Sequence, residues 1–259
     1  MAKTTKNEKE PWYVRAFNAD YLARYKHRSD ELAQTELPFV LGALQVKPGA
    51  TVLDLCCGAG RHSRALIAAM TSGRVIGLDL SGDLLHDAQT KNTAKDRVFF
   101  VRADMRRIPL ASNSVDGVAN LFTSFGYFKT DREHLKVLRE VARVLKPGGR
   151  FVLDFLNCDR VIATLVKRSE SEINGCRVIE SRRYDTRSQR IIKTIRISKS
   201  AADSTGDEVL RESIRAYSST DLKAMLKEAG LHPISVHGDL NGGAFDTLES
   251  MRCVWVSEA

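Results

Sequence analysis

The sequence of 259 residues predicts an α/β fold with a mostly parallel, seven-stranded sheet and helices on both faces. Short apolar stretches of strand length alternate with stretches of helical periodicity, which is typical of repeated βα units that build a parallel sheet. From about residue 160 to residue 217 the pattern changes to strands rich in Ile, Val, Arg and Lys, separated by turns. This change predicts an antiparallel β-rich insertion after the fifth strand.

Each predicted element has its own sequence signal. Strands are predicted where apolar and β-branched residues cluster, at 51–55, 75–78, 98–101, 115–122, 151–156, 233–236 and 251–255 in the main sheet and at 177–184, 189–198 and 209–217 in the insertion. Helices are predicted over 61–70, from a capping Ser81 to residue 90, and over 219–229. A further helix is predicted where Leu135, Leu138, Ala142 and Leu145 share one face, and the Lys-Pro-Gly-Gly turn at 146–149 is predicted to end it. The order of these elements is that of one α/β domain with an insertion.

Composition limits the compartment and the chemistry. The five cysteines include no CxxC pair, so neither a zinc site nor a disulfide framework is predicted, and no metal is expected. No apolar run is long enough to span a bilayer, and the polar start lacks the apolar core of a secretory signal, so we expect a cytoplasmic protein without a membrane partner. The net charge of +8 leaves nucleic acid open as a partner, although the basic residues form no dense block with interleaved aromatics.

The strongest local signal is a buried strand that runs directly into a glycine turn and then a helix. Gly58 and Gly60 form the turn, where backbone N–H groups lie beside the positive end of the helix. Side chains at these two positions are predicted to block a ligand lying against the turn. Ser63 stands where the GxGxxG fingerprint places its third glycine, so the alternative that the glycines only satisfy turn geometry stays open.

A carboxylate follows at the end of the second predicted strand. Asp79 lies about twenty residues after the glycines, where an acid can accept hydrogen bonds from both hydroxyls of a ribose. Capping of the next helix by an acidic residue is the alternative. The glycine turn and Asp79 therefore predict a ligand that contains adenosine.

Five segments stand in a distinctive order. They are VLDLCCGAGRHS, VIGLDLS, VRADMRRIPL, SVDGVANLFTSFGYF and VLKPGGRFVLDFL, within residues 50–157. In order and spacing they resemble the successive motifs of class I S-adenosylmethionine-dependent methyltransferases. LFTSFGYF, with WYVRAF and YLARYKHR near the N-terminus, is similar to the small-molecule branch that includes the glycine and sugar N-methyltransferases. The resemblance implies a Rossmann-like fold, S-adenosylmethionine as the cofactor and S-adenosylhomocysteine as the product.

The same resemblance implies a set of cofactor-binding residues. Asp54 would orient the glycine turn near the ammonium group of the cofactor, Asp79 would hold the ribose, and Leu121 would lie beside the reactive methyl. Asp104 would accept a hydrogen bond from the adenine amine, with an ordinary turn residue after the third strand as the alternative. The full implied set is Tyr13, Arg28, Asp54, Cys56, Gly58, Gly60, Asp79, Leu80, Asp104, Met105 and Leu121.

Tyr13 and Arg28 belong to an N-terminal segment that, by the same resemblance, folds over the cofactor. Tyr13 would contact the sulfonium side, and Arg28 would bind the carboxylate, whose two oxygens suit the guanidinium fork. Two exposed helix positions are the alternative, and Arg24 or His27 can replace Arg28 in that role. The resemblance implies a helical cap over residues 1–45 and a methyltransferase domain over 46–259, with 160–217 as its β-rich insertion.

Tyr127 is the candidate catalytic residue. Related N-methyltransferases often place a histidine at the matching point, and an ordinary phenol, whose pKa is about 10, is a poor base at neutral pH. Tyr127 is therefore predicted to orient the acceptor or to act as a base, with packing alone as the alternative. His62 follows the glycine turn in the first turn of a helix, where a structural role is favoured over catalysis.

Arginines of the insertion offer a second surface for an acceptor. They can meet an anionic group, or they can simply face solvent at alternate strand positions. The residues concerned are Arg182, Arg183, Arg187, Arg190 and Arg196. Related enzymes often dimerise in this region, so a homodimer is a further expectation.

The resulting hypothesis is an S-adenosylmethionine-dependent methyltransferase that acts on an unidentified small molecule by in-line methyl transfer. The reaction needs few side chains, because the sulfonium is already activated and positioning with water exclusion supplies much of the acceleration. An RNA or protein methyltransferase is the first alternative. A non-catalytic S-adenosylmethionine-binding protein is the second.

Overall fold

The computed structural model describes residues 10–17, 30–173, 175–198 and 207–259, and within them it confirms the predicted fold class. The main sheet contains seven strands, β1 (Thr51–Leu55), β2 (Arg74–Asp79), β3 (Val98–Arg102), β4 (Val115–Asn120), β5 (Leu145–Leu156), β10 (His232–His237) and β11 (Arg252–Glu258). A second sheet contains the strands between them in the chain, β6 (Arg168–Ile173), β7 (Cys176–Asp185), β8 (Arg190–Ser198) and β9 (Glu208–Arg215). Arg28 and its alternatives Arg24 and His27 lie outside the described residues.

The spatial order of the main sheet is β3-β2-β1-β4-β5-β11-β10. The first five strands are mutually parallel, whereas β11 runs antiparallel to both β5 and β10. From β1 the chain moves outward through β2 to β3 and then returns to the other side of β1 as β4. The connections therefore diverge at the carboxyl ends of β1 and β4, which is where open α/β sheets form their ligand crevice.

Helices cover both faces of the main sheet. They are α1 (Trp12–Ala16), α2 (Asp30–Leu44), α3 (Arg61–Ala69), α4 (Gly82–Thr90), α5 (Asp131–Val144), α6 (Cys158–Ala163) and α7 (Ser219–Glu228). Val52 of β1 packs in one apolar core with α2 and α3, and the next residue, Leu53, packs in a second core with α5 and α7. Successive side chains of a strand point to opposite faces, so β1 is buried on both sides. Among the described residues no helix combines the length and the apolarity needed to cross a bilayer.

Strand β4 ends earlier than the sequence predicts. The apolar run continues to Phe122, but Phe122 and Thr123 adopt left-handed backbone conformations with φ of 58° and 57°, so the strand stops at Asn120. The carboxylate of Asp154 on β5 accepts a hydrogen bond from the Phe122 N–H at 2.8 Å, and the Asp154 carbonyl accepts one from the Thr123 N–H at 3.1 Å. The turn is thus held by a neighbouring strand rather than by a glycine.

The transition from α5 to β5 also differs from the prediction. Helix α5 begins with a capping box between Thr130 and Glu133 and ends at Val144, before the Lys-Pro-Gly-Gly segment. That segment does not separate the two elements, because β5 already starts at Leu145 and includes it. Leu145, predicted on the helix face, is therefore a strand residue. The pairing of β4 with β5 shifts register between Val115 and Gly117, which accommodates the irregular start of β5.

The insertion forms an antiparallel sheet in the order β6-β7-β8-β9. The strands predicted at 177–184, 189–198 and 209–217 correspond to β7, β8 and β9, although β9 ends at Arg215. Strand β6, with the sequence RSESEI, was not predicted, because it carries almost no apolar residues and owes its conformation to pairing with β7. Helix α1 packs against β9, which brings the N-terminal segment to this second sheet.

Candidate functional site

A cavity of about 1090 Å³ opens at the carboxyl ends of β1, β2 and β4 and extends to the second sheet. It brings together nearly all the site residues expected from the sequence. Those that line it are Tyr13, Asp54, Cys56, Gly58, Asp79, Leu80, Asp104, Met105, Leu121 and Tyr127. Gly60 is not among the lining residues, and Arg28 is outside the described part of the chain.

Glycine is needed at positions 58 and 60 of the turn for different structural reasons. Both have positive φ, 55° at Gly58 and 72° at Gly60. A Cβ at Gly58 would meet only Leu84, at 3.8 Å, so this side of the turn is open toward the cavity. A Cβ at Gly60 would lie 2.7 Å from Cζ of Phe100 and 3.0 Å from Cβ of Ala88. Gly60 therefore has a packing reason of its own, because α4 and β3 pack against it. That Gly60 also borders the cofactor stays a prediction.

Asp79 connects the glycine turn to the start of α4. One carboxylate oxygen accepts a hydrogen bond from the Gly58 N–H at 2.8 Å, and the other accepts one from the Ser81 N–H at 2.8 Å. The cap of α4 is Ser81, whose Oγ accepts from the Leu84 N–H at 3.3 Å. Burial raises the pKa of Asp79, while its backbone hydrogen bonds oppose the shift. Because each carboxylate oxygen has two lone pairs, Asp79 keeps acceptor capacity toward the cavity.

Asp54 is a buried carboxylate held by the residue that interrupts the glycine fingerprint. Ser63, itself fully buried, donates from Oγ to Oδ2 of Asp54 at 2.6 Å. Burial raises the pKa of Asp54, and His62, Ser63 and Arg61 oppose that shift. The side chain at position 63 therefore serves this contact, which a third glycine could not make.

Asp104 forms a salt bridge that the sequence did not indicate. The guanidinium of Arg106 binds both oxygens of Asp104, with Nη2 at 2.6 Å, and the Arg106 N–H donates to Oδ1 at 2.8 Å. Burial raises the pKa of Asp104, but the hydrogen bonds and charge of Arg106 outweigh it and hold this pKa below its usual range. Arg106 also binds Glu133 at 2.6 Å and lies 4.2 Å above the ring of Phe128. Asp104 thus has the role of a turn residue after β3, which was the alternative to adenine binding.

Cys56 and Met105 bring the glycine turn and the end of β3 together. The Cys56 thiol lies 3.5 Å from the sulfur of Met105, and Cys56 has a positive φ of 63°. Burial, with the nearby Asp79, raises the pKa of the Cys56 thiol well above its usual value. The thiol is therefore protonated at neutral pH, so Cys56 is a packing residue of the cavity rather than a nucleophile.

Aromatic rings surround Tyr127. Its ring centroid lies 4.9 Å from that of Trp12 in an edge-on contact, 5.6 Å from Phe17 and 6.4 Å from Tyr13. Tyr13 in turn meets Phe128 edge-on at 5.5 Å. Trp12 and Phe17 also line the cavity. They were not among the predicted site residues, and the only sequence signal for them is the segment WYVRAF, which they share with Tyr13. Burial raises the pKa of the Tyr13 phenol, so it is neutral at physiological pH.

A cationic cluster lies over the loop after β4. The Arg61 guanidinium lies 4.0 Å from the centroid of the Phe122 ring, and that of Arg252 lies 5.5 Å from it. Arg252 also forms a salt bridge with the fully buried Asp154 and donates to Oγ1 of Thr123 at 3.2 Å. The sequence signal that was overlooked is an aspartate, Asp154, inside the otherwise apolar run FVLDFL.

His62 makes contacts that fit the structural role favoured by its position in the first turn of a helix. Its Nε2 lies 2.9 Å from a carboxylate oxygen of Glu36 on α2, and its ring packs against Phe122 at 5.6 Å. The side chain is nearly buried between α2 and α3, although it reaches the cavity wall.

The arginines of the insertion divide between several environments. Arg183 pairs with Asp185 at 3.0 Å, Arg196 pairs with Asp207 at 3.5 Å, and Arg187 is exposed. Arg182 alone of the five lines the cavity, in a salt bridge with Glu180. Arg190 is half-buried and does not line the cavity. It binds backbone carbonyls of the loop that carries Tyr127.

Arg182, Lys193 and Glu212 form a row across the second sheet. They are direct cross-strand neighbours on β7, β8 and β9, so they share a face, and all three line the cavity. Lys193 lies 2.6 Å from Glu180 and 3.9 Å from Glu212. Apolar residues of the same sheet, Ile191 and Ile214, line the cavity beside this row. This wall was not predicted, because it exists only once the three strands pair.

Residues 52–149 match a family model described as a methyltransferase domain. This central part of the chain is similar to methyltransferase domains, as the ordered segments of the sequence predict. It contains the glycine turn, Asp79, Asp104 and the loop after β4. The second sheet, β10 and β11 lie outside the match.

Part of the chain is also similar to demethylmenaquinone methyltransferases. The enzyme of Bacillus licheniformis is 36% identical over 110 residues, which is 42% of this chain and 46% of that enzyme. The enzyme of Lactococcus lactis subsp. lactis is 39% identical over 108 residues, which is 40% of this chain and 41% of that enzyme. The chain thus spans less than half the length of these curated relatives.

Solved methyltransferase structures share the fold over nearly the whole chain. The CcbJ methyltransferase from Streptomyces caelestis has a TM-score of 0.77 at 20% identity, over 95% of this chain and 98% of that one. The S-adenosylmethionine-bound amino pentose methyltransferase CalS10 from Micromonospora echinaspora has a TM-score of 0.63 at 21% identity, over 98% and 99%. At such identities the comparison establishes the Rossmann-like class I fold, including the antiparallel insertion.

Proposed function

We propose that this protein is an S-adenosylmethionine-dependent methyltransferase that acts on a small-molecule acceptor. The observation that carries the proposal is one continuous cavity, from Gly58 and Asp79 at the sheet edge to Tyr127 and the charged row of the second sheet. Its volume of about 1090 Å³ exceeds the roughly 300–1,000 Å³ that holds one drug-sized ligand. The cavity therefore has space for a cofactor and a small acceptor at once.

The residues at the sheet edge fit the adenosine part of the cofactor. Gly58 leaves the turn open, and Asp79 keeps lone pairs for the two ribose hydroxyls while backbone N–H groups fix its orientation. Leu80 and Met105 offer apolar surface and backbone groups on either side of an adenine. Asp104 would have to share its carboxylate between Arg106 and the adenine amine, so we assign it the weaker part in adenine recognition.

The methionine part would lie between the glycine turn and the N-terminal segment. Asp54 holds the turn through Ser63, Cys56 borders the cavity, and Leu121 closes the floor beside it. Tyr13, on α1, also lines the cavity. We retain Arg28 as the proposed partner of the cofactor carboxylate, and we retain residues 1–45 as a cap on a domain that spans 46–259, with 160–217 as its insertion.

S-adenosylmethionine supplies a methyl group already activated by a sulfonium. The protein then has to orient an acceptor lone pair and exclude water, which needs no dense set of catalytic groups. Trp12, Phe17 and Tyr127 form the aromatic wall that excludes water, and the Tyr127 hydroxyl is the group we assign to orient the acceptor. Arg182, Lys193 and Glu212 would contact its distal, polar end.

The cysteines support a proposed compartment. Within the described residues all five are free thiols, three of them buried, and a reducing compartment keeps such thiols intact. We therefore assign the protein to the cytoplasm.

Cofactor binding tests the first part of the proposal. Calorimetric titration of the purified protein with S-adenosylhomocysteine should show saturable binding. A folded protein without measurable affinity for either the cofactor or this product would overturn the assignment.

Product analysis tests the acceptor class. The protein is incubated with methyl-labelled S-adenosylmethionine and, separately, with a small-metabolite extract, total RNA and total protein. We expect label in a compound of the metabolite extract. Label confined to RNA or protein would replace the small-molecule assignment with the alternative acceptor class.

A further inference from the structure

The backbone of residues 126–128 is held almost entirely by groups from outside its own loop. The carbonyls of Gly126, Tyr127 and Phe128 all accept hydrogen bonds from the guanidinium of Arg190 on β8, at 3.0, 3.3 and 2.9 Å. The Gly126 carbonyl also accepts from the Arg215 N–H on β9 at 2.9 Å. The second sheet thus fixes the segment that carries the candidate catalytic tyrosine.

Arg190 is itself fixed on the second sheet. Its Nε donates to Oγ of Ser213 at 2.8 Å, and its Nη2 donates to the Ser213 carbonyl at 2.7 Å. Ser213 lies on the adjacent strand, β9. The rigid guanidinium fork therefore joins two strands of the sheet to three consecutive carbonyls, a geometry that a lysine ammonium cannot reproduce.

The segment approaches β9 so closely that a side chain at position 126 would crowd it. Gly126 has a φ of 88°, and a Cβ there would lie 3.1 Å from Cγ2 of Ile214 and 3.3 Å from the Arg215 carbonyl. On the other side, the Phe128 N–H donates to Nε2 of the buried His134 at 3.0 Å. The backbone on both sides of Tyr127 is therefore constrained.

The Tyr127 ring transmits this constraint to the N-terminal helix. It contacts Trp12 and Phe17, which belong to α1 and its C-terminal end and which line the cavity. Helix α1 has only five residues, too few to be stable alone. Its position over the cavity therefore depends on Tyr127 and on its packing against β9.

We infer that Arg190 is a positioning residue: it fixes residues 126–128 so that Tyr127 faces the cavity and holds α1 over it. The inference rests on the proposed function only for its consequence in catalysis. Loss of Arg190 should loosen α1, expose the cavity to water and impair use of the acceptor, while Asp79 and the glycine turn stay in place.

Trp12 provides a direct readout, because the chain contains only two tryptophans, Trp12 and Trp255. The emission of Trp12 is obtained by subtracting the spectrum of the matching Trp12→Phe variant. Acrylamide quenching of this difference signal is compared between the wild type, Arg190→Lys and Arg190→Met. We expect the quenching constant to rise by at least about twofold in Arg190→Met, with Arg190→Lys in between, because α1 opens locally.

Arg183→Met is the matched control. This substitution removes the same charge from the same sheet. Arg183 is exposed and forms a surface salt bridge with Asp185. Its Trp12 quenching should equal that of the wild type. The affinity of Arg190→Met for S-adenosylhomocysteine should fall modestly, because α1 carries Tyr13. Once an acceptor is identified, its KM should rise more than that of the cofactor.

Two results overturn the inference. The first is a folded Arg190→Met protein whose Trp12 quenching is unchanged. The second is loss of folding in both Arg190 variants, which would make Arg190 a general stabilising residue. Failure of the proposed function is distinguishable, because a wild-type protein that does not bind S-adenosylhomocysteine would still report the position of α1 through Trp12.

Discussion

The Nδ1 atom of His134 lies 2.8 Å from the hydroxyl of Tyr217, in the core between α5 and the second sheet. Since Nε2 of His134 accepts the Phe128 N–H, the ring proton is on Nδ1 and donates to Tyr217, whose hydroxyl donates to Asp131 at 2.7 Å. This chain of hydrogen bonds requires a neutral imidazole. It joins residues far apart in the sequence, and it makes folding sensitive to pH.

Stability should fall as the solution becomes acidic because of His134. Burial, with the charge of Arg190, lowers its pKa from 6.5 to about 4 in the folded protein. The folded pKa is depressed, so the stabilisation is complete above pH 6.5 and is lost as the pH falls toward 4. The loss attributable to His134 amounts to about 3 kcal/mol over that interval.

Urea unfolding at several pH values between 7 and 4 tests this assignment. Paired carboxylates, Asp131 among them, also lose stability in acid, so the informative quantity is the difference between the wild type and His134→Gln. The variant should be less stable at pH 7 and should show a shallower pH dependence. Parallel curves for the two proteins would rule out His134 as the titrating group.

Asp79→Asn should weaken binding of S-adenosylhomocysteine. The amide has one acceptor oxygen where the carboxylate has two, so it cannot serve the Gly58 N–H, the Ser81 N–H and a ribose together. Losing charged hydrogen bonds of this kind costs about 1.5–3 kcal/mol, or about 10- to 100-fold in affinity. Calorimetry measures the effect, and Asp96→Asn, at an exposed position outside the cavity lining, is the control that should bind normally.

Gly60→Ala should destabilise the fold more than Gly148→Ala. Both glycines have positive φ, 72° and 76°, so both substitutions cost about 1–2 kcal/mol of backbone strain. Only the Cβ at position 60 would collide with Phe100 and Ala88, which adds about 1–3 kcal/mol of overpacking. Urea unfolding compares the two variants, and Phe100→Leu should partly rescue Gly60→Ala. Equal losses in the two alanine variants would show that packing is not the reason for Gly60.

Arg252→Met should be strongly destabilising because it leaves the carboxylate of Asp154 buried without its ion-pair partner. Removing one member of a buried pair costs about 3–5 kcal/mol. The double variant Asp154→Asn/Arg252→Met should recover part of this loss, since no buried charge remains. A double-mutant cycle from urea unfolding measures the coupling, and strictly additive losses would contradict it.

Local patterns predicted most of the main sheet. Strand β1 occupies the predicted residues, Ser81 caps α4 as expected, and α7 ends within a residue of its predicted limit. These features depend on alternation of apolar residues and on capping chemistry, which are properties of neighbouring residues. The predicted end of β4 was wrong because the left-handed conformations of Phe122 and Thr123 depend on Asp154, which lies more than thirty residues away in the sequence.

The residues of the candidate site also fall into two groups, those that local sequence patterns predict and those that depend on tertiary contacts. The positions of Asp79 and Gly58 at the sheet edge follow from the end of each strand, and the structure places both in the cavity. Gly60 has a packing reason that no spacing rule revealed, and the partners Arg106 and Arg252 have no signal in the motifs. Side chains that serve other side chains cannot be recognised until the elements that carry them meet.

Patterns among residues a few positions apart predict the α/β fold, the glycine turn and the acid at the end of the second strand. In contrast, the contact of Trp12 with Tyr127 and the hydrogen bond from Arg190 to the Phe128 carbonyl, 62 positions away in the chain, exist only in the folded protein. The physical reason is that periodicity and capping act along the chain, whereas hydrogen bonds and ring contacts depend on distance in space. The half of the cavity beside the second sheet is therefore a product of folding.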